Sequence, residues 1–229
     1  IFRVFGNDYF EFRWTQTFED EVENKSLKEP TLLMATWERR SRKGFSYNLG
    51  YTQSGVNFNP GIGFEMMDDY TVIRGGFSYG WISPEKSKLY MHRPEVRFMY
   101  RNFIDDGTFM SFTNYSGWDF QTKSQWQGSL FLVFNNERLR DSLEIMTDEV
   151  YIPQGKYSYL NFRGNLNTPM SRPFYLMFMT EAGQFYDGKR LSFRLQPTWN
   201  ISRNFELGGT YNFDHVSVSG RNVSMNNHI

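Results

Sequence analysis

The sequence predicts an all-β protein, an antiparallel up-and-down transmembrane β-barrel that forms one domain over residues 1–229 and is an incomplete part of a larger barrel. Three observations predict it. Apolar and polar residues alternate with period two in segment after segment, the pattern of strands with one apolar and one polar face. Aromatics carry the apolar load: 23 Phe, 14 Tyr and 6 Trp make up 19% of the chain, while hydrophobic residues together reach only 39% and the mean hydropathy is −0.60. A soluble core of this size draws on Leu, Ile, Val and Ala instead, whereas lipid-facing aromatics around a polar interior account for both values. Finally, no run of about 18 apolar residues exists, so no transmembrane helix is predicted.

In chain order, residues 9–18 place Phe10, Phe12 and Trp14 opposite Glu11, Arg13 and Thr15. Residues 45–51 set Phe45, Tyr47, Leu49 and Tyr51 against Ser46, Asn48 and Gly50. Residues 71–81 set Ile73, Phe77, Tyr79 and Trp81 against Arg74, Ser78 and Gly80, and residues 95–101 set Val96, Phe98 and Tyr100 against Glu95, Arg97 and Arg101. Alternation is clearest over 190–199, with Leu191, Phe193, Leu195, Pro197 and Trp199 on one face and Arg190, Ser192, Arg194, Gln196 and Thr198 on the other. Residues 205–214 repeat it, with Phe205, Leu207, Tyr211 and Phe213 against Glu206, Thr210, Asn212 and Asp214. Less contrasted strands are read at 31–38, 108–120, 126–134, 156–166 and 173–182, for about eleven in all.

Asp105-Asp106-Gly107 and Tyr186-Asp187-Gly188 carry Asp-Gly steps suited to tight hairpins. Two connections are longer: the acidic 19–30 loop, and residues 135–148, which hold either a helical turn through Leu139 and Leu143 or a crossing between strands.

With 25 basic and 25 acidic residues the net charge is zero, which argues against nucleic acid as a partner. Cysteine is absent, excluding disulfide frameworks and Cys-based metal sites. Ile1 follows no charged or apolar leader, so the reading expects a cleaved signal peptide or a piece of a longer chain.

Several motifs resemble domain-of-unknown-function family 5916, an outer-membrane barrel family of Gram-negative bacteria. Asn59-Pro60-Gly61-Ile62-Gly63-Phe64 is similar to its Asn-Pro-x-x-Gly-Phe signature, and Ile152-Pro153-Gln154-Gly155-Lys156-Tyr157 to its Ile-Pro-x-Gly-x-Tyr strand entry. The run from Gly183 to Arg190, followed by Pro197-Thr198-Trp199, resembles its later hairpin. The resemblance implies a secretory signal, an N-terminal β-sandwich like family-nine carbohydrate-binding modules, and further C-terminal strands. None of these is found between Ile1 and the closing Asn226-Asn227-His228-Ile229, so truncation at both ends is expected.

No catalytic site is read. An omptin-like protease needs Asp-x-His on one face, but Asp214 and His215 are adjacent and point to opposite faces of a strand. Tyr51-Thr52-Gln53-Ser54 faintly resembles a barrel phospholipase segment, yet its His-x-Ser-Asn-Gly motif is missing, and His92, His215 and His228 lie far from Ser54 in sequence. Asp68-Asp69 and Asp105-Asp106 could attract calcium, but they lack the spacing of a calcium loop and read as solvated turns. No cofactor or metal is expected.

The leading expectation is an anchor, structural or transport-type barrel of the bacterial outer membrane, in contact with its lipid. Its lumen would be lined by Glu11, Arg13, Glu95, Arg97, Arg101, Arg163, Arg194 and Glu206. Charges of both signs predict a knitted, filled lumen rather than a wide pore. The family resemblance adds a glycan, held by a domain outside this chain. Two alternatives stay open: a surface barrel hydrolase, and a soluble secreted β-sandwich that binds carbohydrate through aromatics such as Trp118 and Trp126.

Overall fold

The structure, a computed structural model, describes residues 1–19, 22–24, 26–61, 67–144, 151–218 and, for the backbone, 223–228. The chain is all-β and antiparallel. Its first half forms β1 (Phe2–Phe5), β2 (Asp8–Gln16), β3 (Thr31–Arg39), β4 (Gly44–Ser54), β5 (Tyr70–Ile82), β6 (Leu89–Phe103), β7 (Phe109–Thr122) and β8 (Gln127–Leu139). There follow the two-residue strands β9 (Leu143–Glu144) and β10 (Tyr151–Ile152), then β11 (Gly155–Asn167), β12 (Phe174–Phe185), β13 (Gly188–Ser202), β14 (Phe205–Gly208), β15 (Tyr211–Val218) and β16 (Val223–His228).

All but β9 and β10 join one sheet in up-and-down order, each strand beside its neighbours in sequence; β14 hangs from β13 off the main path. The sheet is not closed, and β1 and β16 form its two edges. The strands read from period-two alternation are all present. β1 and β16, which that reading did not separate from the termini, are additional.

The predicted strand over 205–214 is split into β14 and β15, and Pro197 is the reason. β14 pairs β13 from Thr198 onward and β15 pairs it up to Leu195, so the interruption falls opposite Pro197, whose nitrogen has no hydrogen to donate. The Pro197 carbonyl still accepts from Gly209 N at 3.1 Å, so the two pieces stay aligned.

The 135–148 segment shows no helix among its described residues. It continues β8 to Leu139 and then forms β9, which pairs β10; residues 145–148 lie outside the described set, as do Ile62-Gly63-Phe64 of the Asn-Pro motif. The 105–107 turn is present, with Gly107 at φ +65°. In the later hairpin, however, the loop residues are Tyr186 and Asp187, with Tyr186 at φ 51°. Gly188 instead opens β13, where a Cβ would run into the Ser217 backbone.

Cross-strand partners share a face, so the pairing register sorts the sheet into two faces. The row that begins at Asp8, first residue of β2, passes through Tyr47, Val96 and Leu132 and reaches Leu191 and His215. It starts at one end of the sheet and finishes near the other, the stagger of strongly tilted strands. One end carries short turns: 6–7, 40–43, 83–88, 123–126 and 168–173. The other carries the long connections 17–30, 55–69 and 140–154.

Burial on the two faces is inverted relative to a soluble sheet. In β8 the exposures run Phe131 6%, Leu132 50%, Val133 0% and Phe134 38%. The outward face presents Phe12, Ile73, Phe77, Leu130, Leu132 and Phe162, all exposed. The inward face buries Thr52, Ser111, Ser129, Asn135 and Asn161 beside Val72, Phe131 and Val133. Trp37, Trp81, Trp118 and Trp199 share the outward face near the short-turn end; Trp14 lies on it near the other end.

Candidate functional site

The inward face is the part of the molecule where polar chemistry is concentrated. Register places Glu11, Arg13, Glu95, Arg97, Arg101, Arg163, Arg194 and Glu206 all on this one face. Glu95, Gly117, Phe131, Arg163, Glu181, Ser192 and Asp214 form a single row across seven strands.

The centre of the face is an arginine–aromatic stack. The Arg97 guanidinium lies 4.7 Å from the Phe131 ring centroid and 5.3 Å from that of Tyr115, and its Nε is 3.3 Å from Glu95 Oε1. From the other side Arg163 donates to the Tyr115 hydroxyl at 3.2 Å and pairs with Glu181 at 3.1 Å. Gly117 admits the stack, because a Cβ there would overlap both the Leu130 carbonyl oxygen and the Phe131 ring. Two recesses, of 640 and 540 Å³, open on this face, and Arg97 and Tyr115 line both, so the stack is the wall between them.

Around this wall the charges are largely cross-linked. Arg190 grips Asp214 with two bonds, at 2.9 and 2.6 Å, in the bidentate geometry that makes guanidinium–carboxylate pairs directional. Arg93 meets Asp119 at 3.0 Å, and Arg13 meets Glu11 at 2.9 Å. Arg194 donates to Asn212 at 2.6 Å and Arg101 reaches Ser111 at 3.5 Å, neither to a carboxylate. Glu206 is exposed near one edge and is not drawn into this network. Thr52, Ser54, Asn135 and Asn161 each keep a buried polar atom without a protein partner on the same face.

At the long-loop end Glu137 accepts from Tyr159 at 2.9 Å and Tyr186 at 2.8 Å. Ile152, fully buried, packs with Val216 and Val218 against Leu139, Tyr157, Phe185 and Tyr186. Tyr157 donates to the Pro153 carbonyl at 2.8 Å, so the Ile-Pro-x-Gly-x-Tyr segment sets Ile152 and Pro153 against the inward face.

The other residues considered from sequence fall elsewhere. Asp105 and Asp106 are held by Arg140, at 3.0 and 2.7 Å, and Arg140 stacks on Phe103; a guanidinium occupies the place imagined for calcium. The Thr108 hydroxyl and amide, both donating to Asp106, hold its carboxyl down at about 2, whereas burial and the neighbouring Asp105 push Asp69 up. No cluster of three or more His, Asp or Glu suited to a metal occurs among the described residues. His92 stacks on Trp81 on the outward face, whereas Ser54 is buried on the inward one, so the two are not a nucleophile–base pair. Asp214 and His215 point to opposite faces. Trp118 stacks on Phe120 on the outward face, and Trp126 sits in a short turn.

Sequence reasoning missed Tyr115, Phe131, Glu137, Tyr159 and the Arg93–Asp119 pair. Tyr115, Asp119, Phe131, Glu137 and Tyr159 lie on strands that alternate weakly because aromatics occupy both faces, and Arg93 precedes the 95–101 segment; only register reveals which ring joins the charged row. Comparison with models of protein families, with curated proteins and with solved structures finds no match.

Proposed function

We propose that this chain is an integral β-barrel of the bacterial outer membrane, acting as an anchor or transport-type component with a charge-knitted interior. One observation carries the reading: large apolar side chains are exposed along the outward face, while the inward face gathers most of the charged side chains and buries Thr52, Ser111, Ser129, Asn135 and Asn161. In water that arrangement leaves an extensive apolar surface wet; in a bilayer it places each face in its matching medium. Strands of 9 to 15 residues over most of the sheet are long enough to cross when tilted. On this reading the two edges are completed by further pairing, since an open edge cannot remain in hydrocarbon.

Short turns at one end and long connections at the other favour the long-loop end as extracellular. The cross-linked charges favour a filled lumen with two recesses over a wide pore. A soluble sandwich would need a second sheet over the outward aromatics, and among the described residues the sheet packs against none. The resemblance to domain-of-unknown-function family 5916 is compatible with this barrel and supplies the suggestion that it presents a glycan-binding domain.

The test is the gel mobility of the complete protein from isolated outer membranes, with and without boiling. Heat-modifiable mobility together with solubility only in detergent is the expected result. A single mobility and free solubility in buffer would overturn the membrane reading.

A further inference from the structure

The two ends of the sheet differ sharply in charge. The 40–43 turn carries Arg42 and Lys43, the 83–88 turn Lys86 and Lys88, and the next turn Lys123. Arg172 and Arg203 continue the series in the following two. All are exposed, and Glu85 is the one carboxylate in these turns. None is in an ion pair among the described residues; the Lys123 ammonium is drawn only to the carbonyls of Pro84 and Glu85, tying two turns together without neutralising its charge. At the opposite end Asp68, Asp69, Asp105, Asp106, Asp141 and Asp187 set the sign.

The cations are also in fixed relation to the tryptophans. Trp37 precedes Arg42, Trp81 precedes Lys86 and Trp118 precedes Lys123 by five residues, and Trp199 precedes Arg203 by four. Each Trp is on the outward face, and each cation is in the turn that follows it. An indole at the edge of an apolar band with a cation one step beyond it is the arrangement that seats an aromatic ring at the carbonyl level and an ammonium at the phosphates of the same leaflet.

We propose that the short-turn end is a docking collar for anionic phospholipid headgroups, with the turn cations meeting lipid phosphates directly beyond the tryptophan belt. The proposal rests on the membrane reading above and deepens it by naming the lipid class at one end. Charge complementarity selects the partner: successive turns around one rim present cations with a single intervening carboxylate, and a leaflet rich in anionic headgroups is a surface of matching extent and opposite sign. The long-loop end, with its carboxylates, would be repelled by the same surface, so the collar also biases the direction of insertion.

The tryptophans beneath the collar supply the readout. Full-length protein carrying Trp14→Phe, to remove the far-end indole, is reconstituted in vesicles of phosphatidylcholine mixed with phosphatidylglycerol, with one or the other lipid brominated. Brominated phosphatidylglycerol is expected to quench with an apparent association about fivefold stronger than brominated phosphatidylcholine. The preference should fall toward unity in Lys86→Gln/Lys88→Gln/Lys123→Gln and in high salt. Equal quenching by the two lipids in the parent protein overturns the collar while leaving the membrane reading intact. Quenching by neither lipid shows that the tryptophans are not in a bilayer, and removes both. The parent comparison decides the matter even if the triple variant fails to fold.

Discussion

Arg163 and Glu181 stand directly opposite each other on β11 and β12, with Nε and Oε2 3.1 Å apart, and each also serves a neighbour: Arg163 the Tyr115 hydroxyl, Glu181 the Asn161 amide. The pair therefore couples β7, β11 and β12 across the inward face. Because Arg163 keeps 42% of its side-chain exposure, solvent screens much of the attraction. A double-mutant cycle of Arg163→Met and Glu181→Gln should give a coupling of about 1 kcal/mol in denaturant titrations of the refolded protein. Strict additivity of the two single changes would show that the pair does not act as one unit.

Gly117→Val tests the stack itself. The new Cβ would run into the Leu130 carbonyl oxygen as well as the Phe131 ring, so the backbone would have to yield and the ring to move, taking the Arg97 guanidinium with it. Overpacking of this kind costs about 1–3 kcal/mol. A compensating Phe131→Ala should recover part of the loss; no recovery would mean that the valine disturbs the β7–β8 backbone rather than the ring.

Leu132→Arg separates lipid from water as the medium of the outward face. Leu132 is half exposed at mid-strand, and in water an arginine there would be nearly neutral. At a bilayer midplane the same change costs about 2–4 kcal/mol. Folding yield into vesicles, read by gel mobility, should drop accordingly, and an unchanged yield would count against lipid contact at this position.

The turn at 105–108 should respond to acid. The Asp106 carboxyl, held down at about 2 by Thr108, favours the folded turn fully above the ordinary carboxylate range and loses that contribution as the pH falls through about 2. Asp69, pushed up by burial and by Asp105, has the opposite sign: it favours the folded form below the ordinary range and ceases to as the pH rises through its raised value. Exchange protection of the Thr108 amide should therefore survive below about pH 4 and collapse only near the Asp106 titration. Asp106→Asn should flatten that profile. Loss of protection already above about pH 4 would contradict the assignment.

Much of this organisation is legible from alternation alone. Segments such as 190–199 and 95–101 declare their faces because each pairs aromatics or aliphatics with arginine, glutamate or small polar groups, and all eight charged residues so identified share a face. Alternation does not carry register, which is why Tyr115 and Phe131 stayed hidden: both are aromatic, and nothing local says that they join Arg97 rather than the outward band. The split at Pro197 was equally invisible, since its side chain fits the pattern perfectly and only the missing hydrogen interrupts the ladder. The Asp-Gly step at 187–188 marks a tight hairpin, as read, but the positive φ falls on Tyr186, and Gly188 serves a close backbone approach that nothing local announces.

The strictly sequential order of the sheet has a mechanical consequence. Along the main path every strand bonds only to the preceding and following strands of that path, with β9 and β10 set aside between β8 and β11 and β14 as a further partner of β13. A chain pulled from one terminus meets no long-range crossing to hold it, so it should come apart as a succession of hairpins, each force peak releasing one antiparallel pair while the rest of the ladder stays intact.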